Sequence, residues 1–325
     1  MSESPELSHE PVYTDAQLTR ALHLLRATRR GRWSRMAATL TALMRDPRGA
    51  TGMILLLLLS VIAFFAPALA PQDPNATSSF STEILATPSA EHWLGTDENG
   101  RDVLSQLLLG SQASMLVGLA AAVVSTVIGT AVGVASAWFG GITDRLLTIL
   151  DDWFLVLPLV PVAVLAAALL GNRASQVPLG QTGVLIAVIG MFGWAGTSRI
   201  VRAEVLSLKG RAFVERARVL GAGNLRLVRQ QLLPNLLPLV LANAVIYVSL
   251  AILTESTLSY LGLGDPNRFS WGGMLESAQS AGALTSGAWA YFIPPGLCIA
   301  LAVLAFSLLG HAIEHHLDPR LGEHR

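Results

Sequence analysis

The sequence predicts an all-α integral membrane protein with six transmembrane helices and both termini in the cytoplasm. Three observations carry that expectation. The 325 residues are 52% hydrophobic and 14% charged, whereas an ordinary soluble domain is about a quarter charged. Six charge-free stretches are long enough to cross a bilayer. Lysine and arginine fall almost entirely on one side of those stretches.

The six stretches are 51–70, 113–138, 153–170, 181–197, 236–254 and 292–313. A span takes about 20 apolar residues, because a helix rises about 1.5 Å per residue through a hydrocarbon core about 30 Å thick. Segments this apolar must be helical, since lipid satisfies no loose backbone group. The cleavage-like Ala68-Leu69-Ala70 is read as part of a retained span. A signal core lies near the start of a chain, and this one follows 50 residues rich in charge.

Orientation follows from the cations. Eight precede the first span, from Arg20 to Arg48. Arg145 lies between the second and third, eight lie between the fourth and fifth, and Arg320 and Arg325 follow the sixth. Only Arg101, Arg173 and Arg268 occupy the alternate loops, so 19 of 22 fall on one side, the expected cytoplasm. The chain thus divides into a cytoplasmic tail (1–50), a first span (51–70), an external segment (71–112), a five-helix core (113–313) with a cytoplasmic loop at 199–235, and a C-terminal tail (314–325). Arg26, Arg29, Arg30, Arg32 and Arg35 in the first tail read as a positive-inside anchor after a flexible stretch, or as a patch resting on anionic lipid.

Net charge is zero, so bulk charge gives no sign of a nucleic-acid partner. The single cysteine, Cys298, excludes an intrachain disulfide framework and reads as a buried, inert thiol. Gly129 and Gly133, one helical turn apart in the second span, mark close helix packing. Pro158, Pro161 and Pro238 lie within spans three and five, where proline is read as structural.

Enzymatic readings are weak. His311, Glu314 and His315 fit the spacing of a zinc peptidase helix, but no third ligand is evident. Residues Asp97-Glu98-Asn99-Gly100 lack calcium-loop spacing and read as a turn, with Asp102 near the start of the next helix. A P-loop needs Gly-Lys-Ser/Thr, and the one lysine, Lys209, lies between Leu208 and Gly210. If ATP drives any process here, another subunit binds it.

The loop 199–235 is the most informative segment. Residues 211–220 read as a short amphipathic helix, with Phe213, Ala217 and Leu220 on one face, Glu215 beside it, and Gly221 as terminator. From spacing alone this is either an ordinary interfacial helix or a docking element.

Glu215-Arg216-Ala217, Gly221 and Leu233-Pro234 resemble the cytoplasmic loop of binding-protein-dependent ABC importer permeases. Arg216 departs from the alanine usual there. His92-Trp93-Leu94-Gly95-Thr96-Asp97 running on to Gly100-Arg101-Asp102-Val103-Leu104 resembles the segment after the first span of one branch, the C-type permeases of dipeptide and oligopeptide importers. Leu258 to Gly264, Ser270 to Leu275, and Leu317 to Leu321 resemble three further segments of that branch. Together these run from about Arg45 to Leu321.

The resemblance implies a type I ABC importer permease fold without an ATPase site of its own. It implies a heterodimer with a B-type permease, two ATPase subunits carrying ATP and magnesium, and an extracytoplasmic peptide-binding protein. It implies no cofactor on this chain and a place in the bacterial inner membrane. The same architecture serves nickel, glutathione and oligosaccharides, which remain alternative cargoes. Residues 211–220 with Gly221 become the coupling helix. Trp93, Arg101 and Asp102 become candidate partner contacts. Glu255 is either a residue of the translocation path, since an acid at membrane depth is a functional candidate, or a helix-end carboxylate that reaches interfacial water or pairs with a neighbouring subunit.

Overall fold

The computed structural model describes residue 41 and residues 43–74, 84–171 and 178–317. The arginine-rich tail and nearly all of the Leu317–Leu321 motif lie outside the described residues. Every element is helical. The long ones are α1 (Pro47–Leu69), α2 (Val103–Phe139), α3 (Gly141–Val156), α4 (Leu159–Gly171), α5 (Gln181–Phe192), α6 (Trp194–Lys209), α9 (Leu233–Leu258) and α12 (Trp289–Leu317). Short helices connect them: α7 (Ala212–Val219), α8 (Asn224–Leu227), α10 (Trp271–Ser280) and α11 (Ala283–Ser286), with wide turns at Val228–Leu232 and Ser259–Leu263.

Among the described residues five helical runs are long and apolar enough to cross a membrane, and six if the pair α3–α4 counts as one bent span. The third stretch, 153–170, was expected as one span. Instead the chain turns by 90° between Val156 and Leu159. Pro158 has no N–H to continue the ladder, and it pushes Leu157 into extended backbone (ψ 128°). Pro161 is tolerated in the first turn of α4.

Other helices outrun their charge-free stretches. The second starts at Val103, so the last ten residues of the expected external segment are already helical. The fourth continues to Lys209, the fifth lies within a run from Asn224 to Leu263, and the last persists to Leu317. Charge marks where lipid ends, whereas helices stop where caps and turns satisfy their terminal groups.

α2 is the spine. Its 37 residues extend about 55 Å at 1.5 Å per residue, well beyond the bilayer core. α6, α9, α5 and α1 pack along it, and α12 packs against α9 and α1. Small residues allow that crowding. A Cβ on Gly129 would lie 2.6 Å from the Trp194 carbonyl oxygen, and one on Gly133 would lie 2.5 Å from that of Ser198. Those two glycines therefore seat α6 against α2 within the chain.

Three apolar clusters result. The largest fills the bundle between α2, α5, α9 and α12. A second lies at one end and joins Trp138, Val201, Val205, Leu208, Val214, Leu227, Leu232 and Leu236. The third, with Val103, Met274, Ala278 and Tyr291, lies at the opposite end.

Candidate functional site

At the end carrying Val103, residues 92–106 form a polar knot. Asp102 caps α2, its Oδ2 accepting from the Ser105 amide (2.8 Å) and hydroxyl (2.7 Å). Its Oδ1 lies 3.1 Å from His92 Nδ1 in a buried contact. Asp97 builds the turn: Oδ1 accepts from the amides of Asn99 and Arg101, both at 2.8 Å, and Oδ2 accepts from Gln106 Nε2 at 2.7 Å. Gly95 (φ +78°) passes so close to the next strand of chain that a Cβ would sit 2.1 Å from the Ala86 carbonyl oxygen. The turn expected at Asp97–Gly100 is present, and Asp102, expected only near the start of the helix, is its N-cap. Asp102 faces inward, at 2% exposure, so of the three candidates only Trp93, 69% exposed, and Arg101, which is half-buried, reach the surface.

Glu255 sits deeper and is 1% exposed. It does not reach interfacial water. Ser259 donates to its Oε1 at 2.8 Å and Ser256 to its Oε2 at 3.3 Å. Two further hydroxyls, those of Ser114 on α2 and Ser270 at the start of α10, lie beside it. Those same hydroxyls hold backbone, Ser114 receiving the Trp271 amide (3.2 Å) and Ser270 that of Gly273 (3.2 Å). The carboxyl is thus bonded by its near neighbours in the chain and lies where α9 packs against α2 and α10. Sequence reasoning missed this arrangement, although serines at 256, 259 and 270 around a lone acid are its visible trace.

At the opposite end, α6 leads into the loop. Lys209 Nζ donates to the carbonyls of Ala137 (3.2 Å) and Trp138 (3.0 Å), closing the C-terminus of α2. Such a cation is favoured there by the helix dipole. α7 then spans Ala212–Val219, with Arg211 and Leu220 as flanking residues. Gly221 has φ +81°, the left-handed conformation expected of the terminator.

The expected apolar face divides in two. Phe213 and Ala217 pack against the chain's own cluster around the fully buried Val214. Leu220 points away, 86% exposed, beside Val219 (87%) and, across the turn, Leu225 (81%). Helical spacing grouped the three residues, and the third dimension separates Leu220, beyond the end of α7, from the covered Phe213 and Ala217. Glu215 is exposed on the same helix.

α3 is braced against α6 by charge. Arg202 grips Asp144 through Nε and Nη2 at 2.7 and 2.8 Å, Arg199 bonds Asp152 at 2.6 Å, and Ser198 donates to the buried Asp151 at 3.0 Å. His311 Nδ1 contacts the Ser307 carbonyl at 2.7 Å, one turn back on its own helix. Among the described residues no group of three or more metal-ligating side chains is placed to hold an ion.

Residues 125–323 match the family described as binding-protein-dependent transport system inner membrane component. Residues 34–88 match the N-terminal transmembrane domain of oligopeptide transport permease C. The chain belongs to this permease family. It is 34% identical over 289 residues to a putative peptide transport system permease protein of Brucella abortus, covering 89% of this chain and 93% of that one. It is 35% identical over 271 residues to the dipeptide transport system permease protein of Bacillus subtilis, covering 83% and 81%. It is 32% identical over 287 residues to the oligopeptide transport system permease protein of Mycobacterium bovis, covering 88% and 95%. The permease is therefore a multi-pass inner membrane component of a transport system. Its matched region contains Glu255, the α3–α6 brace and the whole loop with α7.

Proposed function

We propose that this permease forms half of the translocation pathway of an ATP-driven peptide importer, with six spans, both termini in the cytoplasm and a related B-type permease as partner. Dipeptide and oligopeptide permeases among its relatives support the cargo. ATP and magnesium reside on two separate ATPase subunits, and an extracytoplasmic binding protein delivers the peptide. ATP binding draws the ATPases together, α7 moves with them, and the pathway switches between inward- and outward-facing states, a two-state element biased from another subunit.

The observation that carries the coupling reading is the exposed apolar trio Val219, Leu220 and Leu225, with the exposed Arg216, Arg218 and Arg226 near them in the chain. Apolar side chains exposed together on a loop between spans mark a surface covered by a partner. Docking is tested with Gly221→Val and Glu215→Lys in the assembled transporter. No atom lies within 4 Å of a Cβ on Gly221, so the valine strains only the backbone and tilts the trio. Both variants insert at normal abundance, lose peptide uptake and lose the ATPases on purification. Retention of both activities would remove the coupling role from this loop. Topology is tested separately: reporters fused after Asn99 or Asn267 lie outside, and those after Gly221 or Arg320 lie inside.

A further inference from the structure

Two helical breaks lie side by side. α3 and α4 part by 90° between Val156 and Leu159, and α5 and α6 part at Gly193, between Phe192 and Trp194. Phe154, within one turn of the first break, joins them. Its ring centroid lies 5.8 Å from that of Phe192 and 5.1 Å from that of Trp194, one on each side of Gly193.

The segments on either side of these breaks belong to different parts of the bundle. Toward α7, α3 is bound to α6 through Asp144–Arg202, Asp152–Arg199 and Asp151–Ser198, and Asp151 is the single buried residue of α3. Stripping that carboxylate of its donor is costly, so α3 stays with α6. Val201, Val205 and Leu208 of α6 share the second apolar cluster with Val214 of α7. On the other side, α4 packs against α5 and α9, and Ala163, Ala167, Val184 and Val188 belong to the largest cluster. α5 is also tied to the turn after α9, with Gln181 donating to the Leu263 carbonyl at 3.0 Å and Thr182 to Asp265 at 2.8 Å. α2 passes both parts unbroken. It meets the second break through Gly129, against the Trp194 carbonyl. A bare backbone contact has no side-chain ridge to interlock, so α6 can turn there.

The second break is filled from α9. Tyr247 Oη donates to the Ile189 carbonyl at 3.2 Å, the same carbonyl that accepts the Gly193 amide at 3.1 Å. A Cβ at position 193 would fall on that hydroxyl. The tyrosine thus takes the side-chain space of residue 193 and bonds the last turn of α5 where α6 diverges.

We propose that the two breaks form one hinge between an α3–α6–α7 block and an α4–α5 block, and that Tyr247 is the positioning residue that latches it. A few residues at element ends absorb the dihedral change of such a motion. This rests on the importer reading above, in which nucleotide on the partner ATPases moves α7.

The test uses the complete permease–ATPase complex in lipid nanodiscs, with C298A and spin labels on I142C paired with L169C or with L206C, three exposed positions on α3, α4 and α6. A non-hydrolysable ATP analogue is expected to shift the 142–169 distance, across the hinge, and to leave the 142–206 distance, within one block, unchanged. Y247F keeps the ring and removes one of the two bonds to the Ile189 carbonyl. Without nucleotide it is expected to change the ratio of the two 142–169 distances by about two- to tenfold, the size of one hydrogen bond. Abundance, melting temperature and ATPase retention stay at wild-type values. Equal shifts in both label pairs, or none in either, overturn the hinge. An unchanged ratio in Y247F, with or without a lower melting temperature, makes Tyr247 a packing residue and overturns the latch. If no ATPase subunits co-purify with the wild-type permease, the importer reading fails, and the nucleotide-free comparison of Y247F with wild type still decides the latch.

Discussion

Residues 92–106 and the loop from Lys209 to Leu233 both connect long helices, yet they are built from different interactions. The first is held by carboxylates: Asp97 and Asp102 between them accept from Asn99, Arg101, Gln106, Ser105 and His92. The second rests on apolar contact, with Val214, Leu227 and Leu232 seated against Val201, Val205 and Leu208. Directional bonds to buried groups admit one geometry, because each lost bond leaves a desolvated partner. Apolar contact is non-directional and tolerates small sliding. The first region suits a fixed receiving surface, and the second suits an element that moves with another subunit.

This contrast can be broken by substitution, and the largest effect is expected at Asp102. Asp102→Ala removes the α2 cap and strands Ser105 and His92, a loss of about 2–4 kcal/mol. It should appear as lower abundance and a lower melting temperature of the detergent-solubilised permease. A melting temperature equal to wild type would show that the knot is not rigidly held. Val214→Ala trims the seat of α7 and should cost about 1–2 kcal/mol. That loss should be local, seen as faster proteolysis between Lys209 and Leu233 with α2 still protected.

The α3–α6 brace sharpens the comparison from within. Asp144→Asn leaves a neutral partner for Arg202 where both side chains are partly exposed, 25% and 30%, so the expected cost is about 1 kcal/mol or less. A larger cost, read from thermal unfolding at high salt, would place this pair among the buried polar ties. Smallest of all is Leu220→Ser, within about 0.5 kcal/mol because the side chain touches solvent. Its abundance should match wild type while ATPase retention falls. A drop in stability without loss of the ATPases would make Leu220 part of the fold.

Much of the local structure was legible in advance. The turn at Asp97–Gly100 and the left-handed Gly221 each depend on a few neighbouring residues. Five of the six charge-free stretches fall in helices long and apolar enough to span, since lipid exposure acts residue by residue. The bend at Pro158 was visible as a proline but not as a 90° turn, because its angle depends on where α3 is braced against α6. Glu255 read as a choice between path and helix end. Its burial depends on serines from α2 and α10, elements over a hundred residues apart in the chain.

By itself the sequence determined the class of solvent, five of the apolar helices, the family and the turn chemistry. These follow from composition and short-range periodicity, which each segment carries alone. Only the tertiary structure decided that Phe213 and Ala217 are covered while Leu220 is exposed, and that Gly129 and Gly133 seat α6. Each of those depends on which surfaces meet across the bundle. Burial and hydrogen-bond satisfaction belong to pairs of distant segments, and no single segment encodes them.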